Sequence, residues 1–213
     1  MSSRLVDGVA VPEAVGGDPA LDFANTRAGW GSAEAKEYLT SGRALGVWVR
    51  EAELLPGEDL TALLESGLTR SAEQALLRRT WALRDSLYGC LMGHARRADW
   101  LLVGAEAKVA RSASRLVPIR SDLSSTPAGP AASWQLDAQR LPPGRAALAS
   151  IAVAEERLLT SPLAGCVAAC PGAGCGWLFA DPRRRRRWCS MAVCGNRAKA
   201  RRFADRTASP GAM

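Results

Sequence analysis

Cys170, Cys175, Cys189 and Cys194 form two short clips in the order C-x4-C-x13-C-x4-C, and nothing else in the 213-residue chain limits its fold so tightly. Four soft thiolates at such spacings are the natural ligand set of a closed tetrahedral zinc site. Four cysteines and no histidine leave no open coordination position, so one structural Zn2+ is expected rather than a catalytic metal. Disulfides and an iron–sulfur cluster are the alternatives. The first twenty residues lack a basic stretch followed by an apolar run, so a reducing compartment and free thiols are expected. Cys90 and Cys166 lie outside the clips and read as small buried hydrophobes.

The segment from Cys170 onward is too short to hold itself together by burial alone, and metal ligation is the usual remedy at that size. Trp177, Leu178, Phe179 and Trp188 are expected to pack around the metal cage. Gly172 and Gly174 permit a tight turn between the first two thiolates, and Gly176 and Gly195 would let backbone N–H groups approach the sulfurs. Between the clips, residues 177–180 and 187–189 suggest two strands joined at Asp181-Pro182-Arg183. Ser190 would then cap a helix through Arg202, giving the knuckle, hairpin, helix order of a treble-clef-like finger.

The charge is concentrated in this same segment. Residues 170–213 hold ten Lys/Arg against Asp181 and Asp205, a net +8, while the rest of the chain is close to neutral at −1. A neutral body with a strongly basic end is a common footprint of polyanion binding. Arg183, Arg184, Arg185, Arg186 and Arg187 form one run, and Asn196, Arg197, Lys199, Arg201 and Arg202 share the helix that follows. A solvated loop is the bland alternative for the arginine run.

The remainder reads as a mainly helical domain. Asp18 and Pro19 supply an N-cap and first helical position for a helix through Asn25, with Leu21, Phe23 and Ala24 buried. Leu45, Val49 and Ala52 mark a second helix over residues 41–53, closed by Pro56-Gly57. The longest helix is expected over residues 71–97, where Leu76, Leu83, Leu87, Cys90 and Leu91 form one stripe and Arg78, Asp85 and Arg96 lie opposite. Another follows from Asp99 to Ser112. Residues 116–120 and 133–137 suggest a hairpin around a flexible connection. A helix opening after Pro142-Pro143-Gly144 would bury Ala147, Ile151, Ala154 and Leu158, expose Glu155, Glu156 and Arg157, and stop at Ser161-Pro162. The fold class expected is thus mainly α with a small β-hairpin (α+β), divided into a helical domain over 1–162 and a zinc finger over 163–213.

Composition argues against an enzyme. The single histidine, His94, sits in a helical pattern beside Cys90 and Leu87, with none of the contexts of a triad or a histidine metal site. No phosphate-cradling loop separates a strand from a helix, and no nucleophile stands beside a base. The longest apolar runs fall short of a membrane span, so a cytoplasmic protein with no membrane partner is expected, nucleoid-associated if bacterial.

Residues 188–199, Trp-Cys-Ser-Met-Ala-Val-Cys-Gly-Asn-Arg-Ala-Lys, closely resemble the CGNR zinc-finger family, whose name is the tetrapeptide Cys194 to Arg197, and the agreement reaches back through Cys170 and Cys175. The stretch Leu21-Asp22-Phe23-Ala24-Asn25-Thr26 is similar to the start of the ABATE domain that precedes this finger. The combination implies a stress-responsive transcriptional regulator, with double-stranded DNA bound by the finger and a sensing or dimerising role for the helical domain. A homodimer and a small-molecule effector are therefore expected partners. One departure concerns the tip, where Pro182 and five arginines replace the small polar residues typical of the family, so its phosphate contacts would be less sequence-selective. An RNA-binding or protein-interaction adaptor built on the same basic finger is the competing expectation. Asn196 and Arg197, so near Cys194, fit support of the zinc loop as well as DNA contact.

Overall fold

The computed structural model describes residues 2–118 and 132–208. The chain opens with an antiparallel pair, β1 (Ser3–Val6) and β2 (Val9–Pro12). Asp7 and Gly8 between them both adopt positive φ, 49° and 78°, the backbone a two-residue hairpin turn demands. Asp-Gly between apolar residues is a sequence signal for such a turn, so this hairpin was legible although the helical reading passed over it.

The first helix, α1 (Pro19–Ala24), forms as its caps predict: Asp18 Oδ1 accepts from the Ala20 N–H at 2.9 Å, and Leu21, Phe23 and Ala24 are buried. A minimal ladder, β3 (Arg27–Ala28) with β4 (Lys36–Glu37), leads to α2 (Gly42–Glu51), capped by Ser41 Oγ on the Ala44 N–H. After a short α3 (Thr61–Leu64) comes α4 (Arg70–Met92).

The long helix ends earlier than its pattern suggested. Gly93 takes the left-handed conformation at φ 75°, which stops α4, and Asp99 accepts the Arg96 N–H at 2.7 Å to start α5 (Arg97–Ser112). His94 consequently lies exposed in the link between two helices, not within one.

A hairpin of β5 (Ser114–Pro118) and β6 (Ala132–Leu136) follows, with Leu116 opposite Trp134. The connection expected to be flexible, with Ile119 and Arg120, lies outside the described residues. Then α6 (Arg145–Leu159) runs through the middle of the molecule: Ala146 to Ala152 are all buried, packed with Leu21, Leu45, Leu83 and Leu87 in one core. Ala154 is only half-buried, and Glu155, expected outside, is completely buried. Ala147, Ile151 and Leu158 are buried as expected; the buried face is wider than that stripe, because α5 as well as α4 packs on α6.

The chain ends in β7 (Val167–Ala169), β8 (Leu178–Ala180), a wide π-turn over Met191–Gly195, and α7 (Asn196–Ala208). The fold is therefore α+β: helices around a central α6, small antiparallel strand pairs, and a cysteine cluster near the C-terminus. Among the described residues no helix is long and apolar enough to cross a membrane.

Candidate metal centre and basic surface

Strands β7 and β8 pair antiparallel, Val167 with Ala180 and Ala169 with Leu178, and the first cysteine clip is the loop between them. The hairpin expected from residues 187–189 pairing with 177–180 is corrected by this register. Both carboxylate oxygens of Asp181 accept backbone N–H groups, from Arg185 and Arg186 at 2.9 Å each, and Arg184 has φ 51°. These bonds coil the arginine run into a capped loop, so it does not return as a strand, and β8 finds its partner upstream of Cys170.

Within the first clip the Cys170 N–H donates to Trp177 O at 2.8 Å and the Cys175 N–H to Gly172 O at 2.9 Å. A Cβ at Gly172 would stand 3.2 Å from Cys194 Sγ and 3.4 Å from Cys170 Sγ, so the absent side chain is what lets the sulfurs converge. Gly176 and Gly195 serve differently from expectation. Their N–H groups go to carbonyls, Cys170 O and Ser190 O, rather than to sulfur. A Cβ on Gly176 would meet Trp30 Cβ at 2.6 Å, and one on Gly195 would meet Met191 Sδ at 2.5 Å. In the second clip, Ser190 makes no side-chain cap; its carbonyl accepts from Cys194 and Gly195, and α7 begins only at Asn196.

All four cysteines are buried, and their Sγ atoms lie within 4.8 Å of one another. Cys175 Sγ is 3.7 Å from Cys189 Sγ, which is 3.6 Å from Cys194 Sγ. A tetrahedral zinc with Zn–S bonds of about 2.3 Å separates its sulfurs by roughly 3.8 Å, so the donor set fits one such ion. The thiols cannot carry four charges unaided. Hydrogen bonds from Cys175 and Cys189 hold the Cys170 thiol far below its ordinary value, and the same bonds push Cys175 and Cys189 up. A divalent cation reverses that mutual exclusion by stabilising every thiolate at once. Cys90 stays apart, its half-buried thiol pushed up to about 11 by desolvation.

The cage is bonded to the helical body through groups whose role the sequence did not disclose. Asn25 is completely buried; its Oδ1 accepts the Leu178 N–H at 2.7 Å and its Nδ2 donates to Leu178 O at 2.9 Å, so one side chain acts as an extra strand for β8. Cys175 O accepts the N–H groups of Gly29 and Trp30. Tyr88 stacks on Trp30 with centroids 3.9 Å apart and donates its hydroxyl to Gly176 O at 2.9 Å. Trp177 packs as expected, nearly inaccessible, with Nε1 on Arg27 O. Arg84, buried in α4, completes the contact region: its guanidinium bonds both oxygens of Glu37 and Thr26 Oγ1. Asn25 and Thr26 belong to the resemblance-bearing stretch at residues 21–26, which was the only hint to these positions.

The ten basic or amide candidates divide. Arg183, Arg184 and Arg185 are exposed, and their side chains make no hydrogen bond or ion pair among the described residues. Arg187 is exposed and lies over the Trp188 ring at 5.3 Å. Arg186 turns back onto the protein, with Nη2 donating to Val15 O at 2.9 Å and Cys189 O at 2.6 Å. On α7, Arg197, Lys199 and Arg201 are exposed, Arg202 reaches Ala198 O at 3.4 Å, and Asn196 Nδ2 donates to Ala192 O at 3.1 Å within the second clip.

A helical body carrying a closed four-cysteine centre defines a zinc-finger protein. Residues 167–207 match the model of the CGNR zinc finger, and residues 17–162 match that of ABATE, described as "putative stress-induced transcription regulator". The chain belongs to the ABATE family and carries a CGNR zinc finger after that domain. No curated protein matches it. The ABATE description is regulatory, and neither description names an enzyme.

Proposed function

We propose that the protein is a zinc-dependent, DNA-binding transcriptional regulator in which the finger, residues 163–213, binds duplex DNA and the helical domain, residues 1–162, senses an effector or dimerises. The observation that carries this reading is the attachment of both basic elements to one metal cage. The arginine loop enters the second clip at Cys189 and α7 leaves it after Cys194, so zinc would hold the two cationic surfaces in fixed relation. Zinc has a structural task here: it crosslinks the two clips, while the chain's own residues supply every contact to nucleic acid.

Arg183, Arg184, Arg185 and Arg187 are assigned to phosphates, which position a protein without specifying sequence. Exposed Arg197, Lys199, Arg201 and Arg202 on α7 are the candidates for base edges, since arginine reads guanine bidentately in the major groove. Asn196 fits the role of supporting the second clip through its bond to Ala192 O. A single small finger offers limited interface, so a two-fold dimer on paired half-sites, acting at the nucleoid if the source is bacterial, completes the proposal.

Fluorescence titration of a labelled duplex against salt tests the charge assignment. With Arg183, Arg184, Arg185, Arg187 and two of the α7 side chains on phosphates, about six contacts, the log–log slope is close to −5. An affinity independent of salt contradicts the assignment, and stronger binding to single-stranded RNA or to an acidic polypeptide moves the function to an adaptor.

A further inference from the structure

We infer that Arg186, unlike its four neighbours, is a positioning residue: a clamp that locks the basic loop to the metal loop and to the helical body. The half of this inference that concerns DNA rests on the function proposed above; the half that concerns the metal does not.

One guanidinium makes every bond. Nη2 reaches Val15 O at 2.9 Å and Cys189 O at 2.6 Å, Nη1 lies 3.5 Å from Ala180 O, and the cation sits 4.6 Å over the Phe179 ring. Its acceptors come from three places: the segment before α1, the end of β8, and a metal-ligating residue. None is loose. The Val15 and Gly16 N–H groups are held by Asp22 Oδ1 at 2.9 and 2.8 Å, and Gly16 O accepts the Ala180 N–H at 2.8 Å. The backbone N–H of Arg186 itself is fixed by Asp181. Arg186 is exposed, yet its Nη2 donors and the flat face of its guanidinium are committed to the protein, whereas Arg183, Arg184 and Arg185 point no donor at the protein. The planar fork is essential to this arrangement, because it offers several in-plane donors and a flat face for the aromatic ring at once; an ammonium is a single point charge on a flexible stem.

The charge-conserving substitution therefore separates a clamp from a contact. Arg186→Lys, Arg186→Gln and Arg184→Gln, each in the zinc-loaded full chain, are compared for zinc extraction by a chelator and for the salt dependence of duplex binding. Far-UV circular dichroism checks that the helical body is retained. Both Arg186 variants are expected to lose zinc roughly tenfold faster, the order carried by groups that orient metal ligands. They are also expected to bind DNA more weakly with the slope unchanged. Arg184→Gln is expected to keep its zinc and to reduce the slope by about 0.9, one phosphate contact. Wild-type behaviour of Arg186→Lys, or a reduced slope with normal zinc retention in Arg186→Gln, overturns the inference. Faster zinc loss in a protein that binds no duplex upholds the clamp and removes the DNA reading instead.

Discussion

Glu155 sits on α6 with no accessible surface and, among the described residues, no hydrogen-bond partner for either oxygen. Burial, reinforced by the nearby Glu106 carboxylate, raises its pKa well above the ordinary value, so the folded protein holds it protonated. Glu106 is equally buried but receives Arg79 and Arg145. For a carboxyl whose folded pKa is raised, the unfolded chain releases the proton first, so stability is highest below the unfolded pKa and falls as pH rises from there toward the folded one. Glu155→Leu removes the buried polar group and this dependence together. It is expected to stabilise the protein by about 1 to 3 kcal/mol near neutral pH, with a smaller gain at about pH 5, in urea denaturation at the two pH values. At this scale the metal ligands were legible because their spacing is local. Glu155 was not, because helical periodicity gives a face only after one knows how many neighbours cover the helix.

Among the elements, α1 is set by its own end as expected, with Asp18 as its cap, while Ser41, expected only inside the second helix, caps α2. α4 stops short of residue 97 because Gly93 takes the left-handed backbone that terminates the helix, whatever the apolar stripe before it. Pairing of β8 with β7 was beyond sequence reasoning, since the choice between an upstream and a downstream partner is made by Asp181 coiling the arginine loop and by Asn25 occupying the other edge of β8. That edge gives a test. Asn25→Ala leaves the Leu178 N–H and carbonyl unpaired in the interior and is expected to cost about 2 to 4 kcal/mol in equilibrium denaturation. A loss below about 0.5 kcal/mol would mean that β8 is held by β7 and the sulfur cage alone.

For the molecule as a whole, the second apolar cluster joins the four cysteines, Trp177 and Phe179 to Ala28 and Tyr38 of the N-terminal half, with Trp30 and Trp188 packed against it. Metal loss should therefore be felt beyond the finger. Thiolates must be deprotonated to hold zinc, so protons compete with the ion and acidification releases it, while affinity rises toward alkaline pH. A chelator at neutral pH, or acid, is expected to change the tryptophan fluorescence and to lower Tm, and added zinc at neutral pH to restore both. Unchanged fluorescence with zinc fully removed would show the cage to be dispensable for the packing of Trp30 and Trp177. Little of this coupling was legible: Asn25 and Leu178 are far apart in sequence, and no periodicity reports a contact at that separation.

The central claim, that zinc assembles a surface which recognises particular DNA, is tested most directly by selecting duplexes from a random pool with the zinc-loaded full chain. The winner is then titrated against its scramble, with Cys189→Ser as the control. The account predicts a recovered motif bound about a thousandfold more tightly than scramble and lost in the variant. Equal, steeply salt-dependent binding to every duplex, retained when Cys189 is replaced, would contradict it.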